Sequence, residues 1–173
     1  MQRITDMEAG ELEAKTKDGQ VTVLTVQDIM ALLPHRYPML MLDRMEEMEG
    51  EERAVGIKNV THAEPWFQGH FPNYPVMPGV FLIEAMAQTA AALVAHHRGF
   101  LAEESVVYFM GVDKARFRAP VLPGDQLRIE VLRLKTRASV WRYRGIARVR
   151  GQVVAEAEYM AMHHRKAEAE SQP

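Results

Sequence analysis

The chain has 173 residues, enough for one domain with a core of its own. Hydrophobic residues make up 47% and charged residues 25%, the balance of a soluble globular protein. A net charge of −2 argues against bulk affinity for nucleic acid, and the lack of cysteine excludes disulfides and thiolate metal sites, which suits a cytoplasmic location.

Residues 1–20 alternate charged and small residues without apolar period and are expected to form a mobile N-terminal arm. Met1–Gly19 has no apolar stretch of the kind a secretory signal needs. A single domain is expected over 21–164, followed by a frayed tail at 165–173. Thr25 is the expected N-cap of a short helix whose apolar face is Ile29, Met30, Leu32 and Leu33, and Pro34 ends it. His35-Arg36-Tyr37-Pro38 reads as a packed connector rather than a substrate contact. Two strands are expected at 39–48 and 52–61. His62 has no partner at metal spacing and reads as structural.

Residues 69–79 are crowded with Pro72, Pro75 and Pro78, between Gly69 and Gly79, which makes an ordered, extended loop carrying His70. From Val80 to Ala95 the chain is apolar except at Glu84, Gln88 and Thr89, and rich in Ala, Leu and Met. That is a helix of about 24 Å buried on nearly every side. Glu84 and the short length rule out a membrane span. Gly99 is the expected stop, with His96, His97 and Arg98 in the last turn, where positive charge suits the helix dipole.

Further strands are expected at 106–109 and 113–119, on either side of Gly111. Tyr108 either lines a substrate channel or sits in the core. Strand alternation puts Lys114, Arg116 and Arg118 on one face and Phe117 on the other. Those cations form either a charge-protected sheet edge or a docking patch for an acidic partner. After a turn at Pro123-Gly124-Asp125 comes a three-stranded meander over 126–137, 139–149 and 152–163. A phase slip near Val131 predicts a bulge there. A three-residue loop, Val149-Arg150-Gly151, sets Arg144 opposite Glu156 and Arg142 opposite Glu158, each pair worth a few tenths to about 1 kcal/mol. A two-residue loop at Gly151-Gln152 would instead put Arg144 opposite Tyr159 and the wrong faces together. His163 and His164 point oppositely in a strand and make a poor metal pair. One long helix among antiparallel strands is an α+β domain, and the side of the helix that the strands leave bare calls for a second copy.

A carboxylate inside so apolar a helix is the anomaly. Desolvation favours its protonated form, and the helix N-terminus pulls the other way, as a general acid requires. Gln88, at i+4, shares its face and can hydrogen-bond it. A purely structural Glu84–Gln88 pair fits the same residues, and His70 taken alone fits a structural role.

The run Gly69-His70-Phe71-Pro72, Pro75-Val76-Met77-Pro78-Gly79-Val80 and Ile83-Glu84-Ala85-Met86-Ala87-Gln88 resembles the active-site segment of the 3-hydroxyacyl-[acyl-carrier-protein] dehydratases of bacterial fatty acid synthesis. Leu-Pro-His-Arg-Tyr-Pro at 33–38, Leu-Asp-Arg at 42–44, Ile-Lys-Asn-Val-Thr at 57–61, Phe-Gln-Gly-His-Phe-Pro at 67–72, Gly-Val-Asp-Lys-Ala-Arg-Phe-Arg at 111–118 and Pro-Gly-Asp-Gln-Leu at 123–127 resemble it in consistent order, over about residues 26–162. Asn73-Tyr74 depart from the family's usual glycine and polar residue. The resemblance implies a hot-dog fold, an antiparallel sheet wrapped around one long central helix. It also implies that His70 and Glu84 are catalytic and meet across the interface of a homodimer, often built into a trimer of dimers.

The implied reaction turns a (3R)-3-hydroxyacyl group on acyl carrier protein into a trans-2-enoyl group. Neutral His70 suits the base that takes the proton beside the thioester carbonyl, and Glu84 the acid that releases the hydroxyl. Amides at Gly79 and Val80 suit the carbonyl oxygen, with Gly79 letting the acyl chain approach and Gln88 steadying Glu84. Phe71, Val76, Phe81, Met86 and Tyr108 are candidate walls of the acyl channel. Lys114, Arg116 and Arg118 are candidates for docking the acidic carrier with its phosphopantetheine arm. No cofactor or metal is implied. A dehydratase that also isomerises resembles this family but carries aspartate in place of Glu84. A hot-dog thioester hydrolase and a non-catalytic acyl-binding module would also suit such a fold.

Overall fold

The computed structural model describes residues 16–17, 20–21, 23–103 and 105–165. Most of the arm expected at 1–20 and of the tail expected at 165–173 therefore lies outside the described residues. Thr16–Lys17 (β1) and Gln20–Val21 (β2) pair antiparallel as a small separate ribbon. The main sheet is built from Val23–Thr25 (β3), Arg44–Glu49 (β4), Arg53–Asn59 (β5), Ser105–Phe117 (β6), Gln126–Arg137 (β7), Val140–Val149 (β8) and Gln152–Arg165 (β9). Its order is β3-β4-β5-β7-β8-β9-β6, with every neighbouring pair antiparallel.

A short helix, Val26–Leu32 (α1), starts where the sequence places it. The Thr25 side chain accepts from the Asp28 amide, and Asp28 Oδ2 accepts from the Thr25 amide at 2.8 Å. The two side chains satisfy amide groups that have no carbonyl partner inside the helix.

The long helix, Gly79–Arg98 (α2), lies across β5, β7, β8 and β9. At 20 residues it is longer than the stretch read from the sequence and passes for a membrane span by length and composition alone, so the short-length argument fails; its apolar residues are instead largely buried against the sheet. Leu93 and Met86 are fully buried, each contributing about 1.5–3 kcal/mol by leaving water. Tyr143 donates to the Glu51 carbonyl and Tyr159 to the Met86 carbonyl, both at 2.7 Å, so neither buried hydroxyl lacks a partner. Gly99 adopts the left-handed geometry expected of the stop, φ 67°. Just before it, Arg98 pairs with Glu51 and sits 5.2 Å over the Trp141 ring, and Arg133 reaches Glu51 at 3.0 Å. The hydrogen bond from Arg98 holds the Glu51 carboxyl below its usual range despite burial.

The structure corrects four strand expectations. β4 begins at Arg44, not at residue 39, because the backbone at 39–41 is bonded by a side chain from α2. The strands expected at 106–109 and 113–119 are one strand, β6, kept continuous by register shifts between Phe109 and Gly111 and between Asp113 and Arg116. The bulge expected near Val131 falls between Arg133 and Lys135, and Leu134 there is exposed. The turn between β8 and β9 has two residues, Arg150 (φ 49°) and Gly151 (φ 83°), so that Val149 faces Gln152. A register shift between Ala147 and Arg148 then restores the faces, and Arg144 stands opposite Glu158 rather than Glu156. The expected ion pairs still form, diagonally: Arg144 to Glu156 and Arg142 to Glu158, each at 2.8 Å.

Candidate active site

His70 follows a single turn of 3-10 helix, Pro65–Gln68. Its amide donates to the Trp66 carbonyl at 2.8 Å, and its carbonyl accepts from the Val76 amide at 3.0 Å. Between these bonds Phe71 and Tyr74 close a tight turn on each other's backbone, and the Met77 amide donates to the Val121 carbonyl at 2.8 Å. The proline-rich loop is therefore ordered, as its composition predicts, but its middle is a tight turn at Phe71–Tyr74 rather than extended chain. The ring nitrogen Nδ1 of His70 lies 2.7 Å from the Val76 carbonyl oxygen. A carbonyl only accepts, so Nδ1 carries the hydrogen and Nε2 is left with its lone pair. That tautomer is the one a base needs. The Phe71 ring stacks on the imidazole at 4.1 Å. The cavity beside His70 is walled by Val76, Met77, Gly79, Val80, Leu82, Phe117 and Val121.

Glu84 is held from the other direction. Gln88, 1% exposed, accepts from the Met41 amide at 2.9 Å through Oε1. Its Nε2 donates to the Met39 carbonyl at 2.7 Å and to Glu84 Oε1 at 2.8 Å. The two backbone partners leave one orientation for the Gln88 amide, since Met41 N–H only donates and Met39 C=O only accepts. Glu84 Oε1 must then accept, and any proton on this carboxyl belongs on Oε2. The expected Glu84–Gln88 bond is thus present, and the same glutamine draws the 39–41 segment out of the sheet.

His35 lies in the segment that reads from sequence as a packed connector. The structure brings its Nε2 to 3.4 Å from Glu84 Oε1. Glu84 and His35 share a cavity with Ala87, Gln88, Ala91, Val107 and Phe109. An apolar cavity walled by His35, Ala87, Ala91, Val94, Phe100, Val107, Trp141 and Tyr159 adjoins it. The one signal for this role is its place in the Leu-Pro-His-Arg-Tyr-Pro segment; nothing local points to α2.

The remaining candidates separate. Val76, Gly79 and Val80 stand beside His70, with Gly79 and Val80 in the first turn of α2, where amides have no carbonyl partner within the helix. The close approach at Gly79 is made by a side chain of the protein itself: a Cβ there would lie 2.9 Å from the Phe117 ring. Met86 is a core residue against Gly145, with no exposure, and is no channel wall. Phe81 packs on Trp66 at 4.8 Å. Tyr108 is half exposed on β6 and lines none of these cavities, so it is neither core nor channel in one chain. Lys114, Arg116 and Arg118 do share one groove, with Arg144, Glu156 and Glu158. Lys114 meets Glu158 at 2.7 Å, and Arg118 pairs with Glu156. These cations hold both carboxyls below their usual range. Arg118 also borders the His70 cavity.

The profile of the FabA-like domain matches residues 33–158. The chain belongs to the FabA-like family. A protein of Granulibacter bethesdensis called 3-hydroxyacyl-[acyl-carrier-protein] dehydratase FabZ is 55% identical to it over 152 residues, covering 88% of this chain and 89% of that one. A protein of the same description from Rhodospirillum rubrum is 54% identical over 152 residues, covering 87% and 95%. Among solved structures, the dehydratase heterocomplex ApeI:P from Xenorhabdus doucetiae superposes with a TM-score of 0.68 at 20% identity, over 82% of this chain and 93% of that one. That likeness is one of fold. The family membership and the seven-stranded antiparallel sheet around α2 together give the hot-dog fold that the sequence implies.

Proposed function

We propose that this chain dehydrates (3R)-3-hydroxyacyl groups carried on acyl carrier protein, in the cytoplasm, with His70 of one subunit and Glu84 of another as the acid–base pair. The dehydratase activity rests on family membership and on more than 50% identity to curated dehydratases over most of the chain. One observation carries the division of labour: within one chain, His70 and Glu84 open onto different cavities. Two groups that act on one substrate share a cavity, which supports a pair drawn from two copies.

His70 Nε2 takes the proton from the carbon beside the thioester carbonyl. The electron pair released forms the carbon–carbon double bond, and the bond from C3 to its hydroxyl breaks. Glu84 Oε2 gives its proton to that departing oxygen, which leaves as water. The imidazolium then returns its proton to the carboxylate through solvent, restoring both groups. Charge that builds on the carbonyl oxygen meets the amides of Gly79 and Val80 at the positive end of α2. The acyl chain takes the apolar cavity behind Glu84. Lys114, Arg116 and Arg118 receive the acidic carrier, and Arg118 marks the route from that groove to His70.

The test is complementation on a 3-hydroxyacyl thioester. His70→Ala and Glu84→Gln should each lower turnover by about 10²–10⁴ and leave the oligomer intact. Co-expressed, they should recover roughly a quarter of wild-type activity, because half of randomly paired dimers are mixed and each of those has one intact site. Mixed dimers that stay inactive would refute the shared site, and enoyl product formed at the wild-type rate by either variant would remove that residue from the mechanism. Free thiol in place of enoyl product would mean a hydrolase, and neither product a binding module.

A further inference from the structure

We infer that His35 is a positioning residue for Glu84, donating from Nε2 to Glu84 Oε1 and thereby fixing which carboxyl oxygen serves the reaction. The inference rests on Glu84 being the acid of the proposed dehydration. Its basis is the hydrogen-bond sense around one oxygen atom. Gln88 cannot turn its amide over without breaking bonds to Met39 and Met41, so Glu84 Oε1 is an acceptor in every protonation state of the carboxyl. His35 Nε2 stands 3.4 Å from that same oxygen. An unprotonated Nε2 would face an oxygen that has no hydrogen to offer, lone pair against lone pair. The hydrogen of the neutral ring therefore belongs on Nε2, and Nδ1 keeps a lone pair. Nδ1 is buried and has no hydrogen-bond partner, and His35 lines a mainly apolar cavity with Leu32, Leu33, Pro34, Val94, Trp141 and Tyr159. A hydrogen on Nδ1 would be an orphan donor there, which proteins avoid more strictly than an orphan acceptor. Both ring nitrogens give the same tautomer.

With Gln88 bonded to Oε1 at 2.8 Å and His35 Nε2 at 3.4 Å from it, the carboxyl is oriented through one oxygen. Among the described residues nothing hydrogen-bonds Oε2, which is left for the substrate. Gln88 supplies the mechanical link, because its bonds to Met39 and Met41 seat the loop that carries His35 against α2. His35 also borders the apolar cavity, so a second role as a wall for the acyl chain has to be told apart from positioning by experiment.

The experiment uses the intact full-length protein and two 3-hydroxyacyl thioesters, one with a short acyl chain and one with a long one. In His35→Phe the ring remains and the donor is lost. Its kcat should fall about tenfold or more on both substrates with KM little changed, because a hydrogen bond to Oε1 strengthens as the carboxyl gives up its proton and becomes charged. His35→Gln can place its Nε2 near the original donor and should recover kcat to within about threefold of wild type, while His35→Asn is too short to reach and should stay low. Should the phenylalanine variant fail to fold, the Gln and Asn pair decides the matter alone. Wild-type kcat in His35→Phe or His35→Asn, equal losses in Gln and Asn, or a loss confined to the longer substrate would each overturn the inference. Glu84→Gln is assayed alongside: if it turns over normally, the acid has been misassigned, which is a different failure from that of His35.

Discussion

Gln88→Leu tests the hinge of the site. The substitution nearly conserves volume, so packing changes little and the effect is that of three lost hydrogen bonds. The Met41 amide is left without a partner in a residue that is 1% exposed, a cost of about 1–3 kcal/mol. Met39 is 42% exposed, so water can replace the glutamine at its carbonyl, and the loss there is roughly 1 kcal/mol. The sum is about 2–4 kcal/mol, which lowers the melting temperature of a domain this size by roughly 5–15 °C. Catalysis should suffer separately. Glu84 loses the donor that assigns its oxygens, and kcat should drop about tenfold or more. Thermal melts at fixed protein concentration and steady-state turnover below the variant's melting range give the two numbers independently. A variant that melts within about 1 °C of wild type and turns over normally would show that the 39–41 loop is held by something else and that Glu84 needs no fixed orientation.

Aspartate at Tyr108 and Met110 together places two charges on the half-exposed apolar edge of β6; sedimentation should show a smaller species with turnover lost, and an active assembly of wild-type size would exclude that edge from the interface. Glu51 has a folded-state pKa below its usual 4.5 because Arg98 hydrogen-bonds its charged form. Its contribution to stability is present above that pH and is lost as pH falls through the lower folded value. The stability gap between wild type and Glu51→Gln should therefore shrink below pH 4.5 in chemical unfolding, and a gap as wide at about pH 3 as at about pH 7 would contradict the pairing. Arg116→Glu should raise KM about fivefold for carrier-linked substrate while leaving a small thioester unaffected, since a rim charge steers an acidic partner; equal effects on both substrates would point away from docking.

What the sequence reveals here follows the range of the physics involved. Thr25 and Asp28 cap α1 from three residues apart, and Gly99 ends α2 from the adjoining position, so both are legible locally. The β8–β9 register shows the limit. Alternation of Trp141, Tyr143 and Ala147 against Arg142 and Arg144 decides which faces match, and so constrains only the parity of the pairing. A three-residue loop satisfies that parity, and so does a two-residue loop followed by a bulge, which is the arrangement the chain adopts. The same ambiguity separates the bulge expected at Val131 from the one found at Leu134. The 39–43 segment has the composition of a strand, but a side chain some fifty positions away bonds its backbone. His35 reaches Glu84 through that same long-range bond, which no periodicity announces.

The edge of the sheet and the cavity of Glu84, the proposed acid, meet on one strand. Among the described residues, β6 pairs with β9 on one side and ends the sheet on the other. Its Phe109, Met110 and Val112 are all more than 40% exposed. Scattered exposed apolar side chains are ordinary, but a row of them on an unpaired edge invites another strand. Phe109 also walls the cavity of Glu84. On the proposed shared site, a second copy added along β6 would bond the bare edge, close that cavity and bring its His70 to Glu84 in a single step. An interface made elsewhere on the molecule would leave the edge exposed, the cavity open and, in the proposed mechanism, the carboxyl without its base. The bare backbone edge, the apolar surface and the proposed chemistry each favour a partner, and β6 is the place where one partner would answer all three.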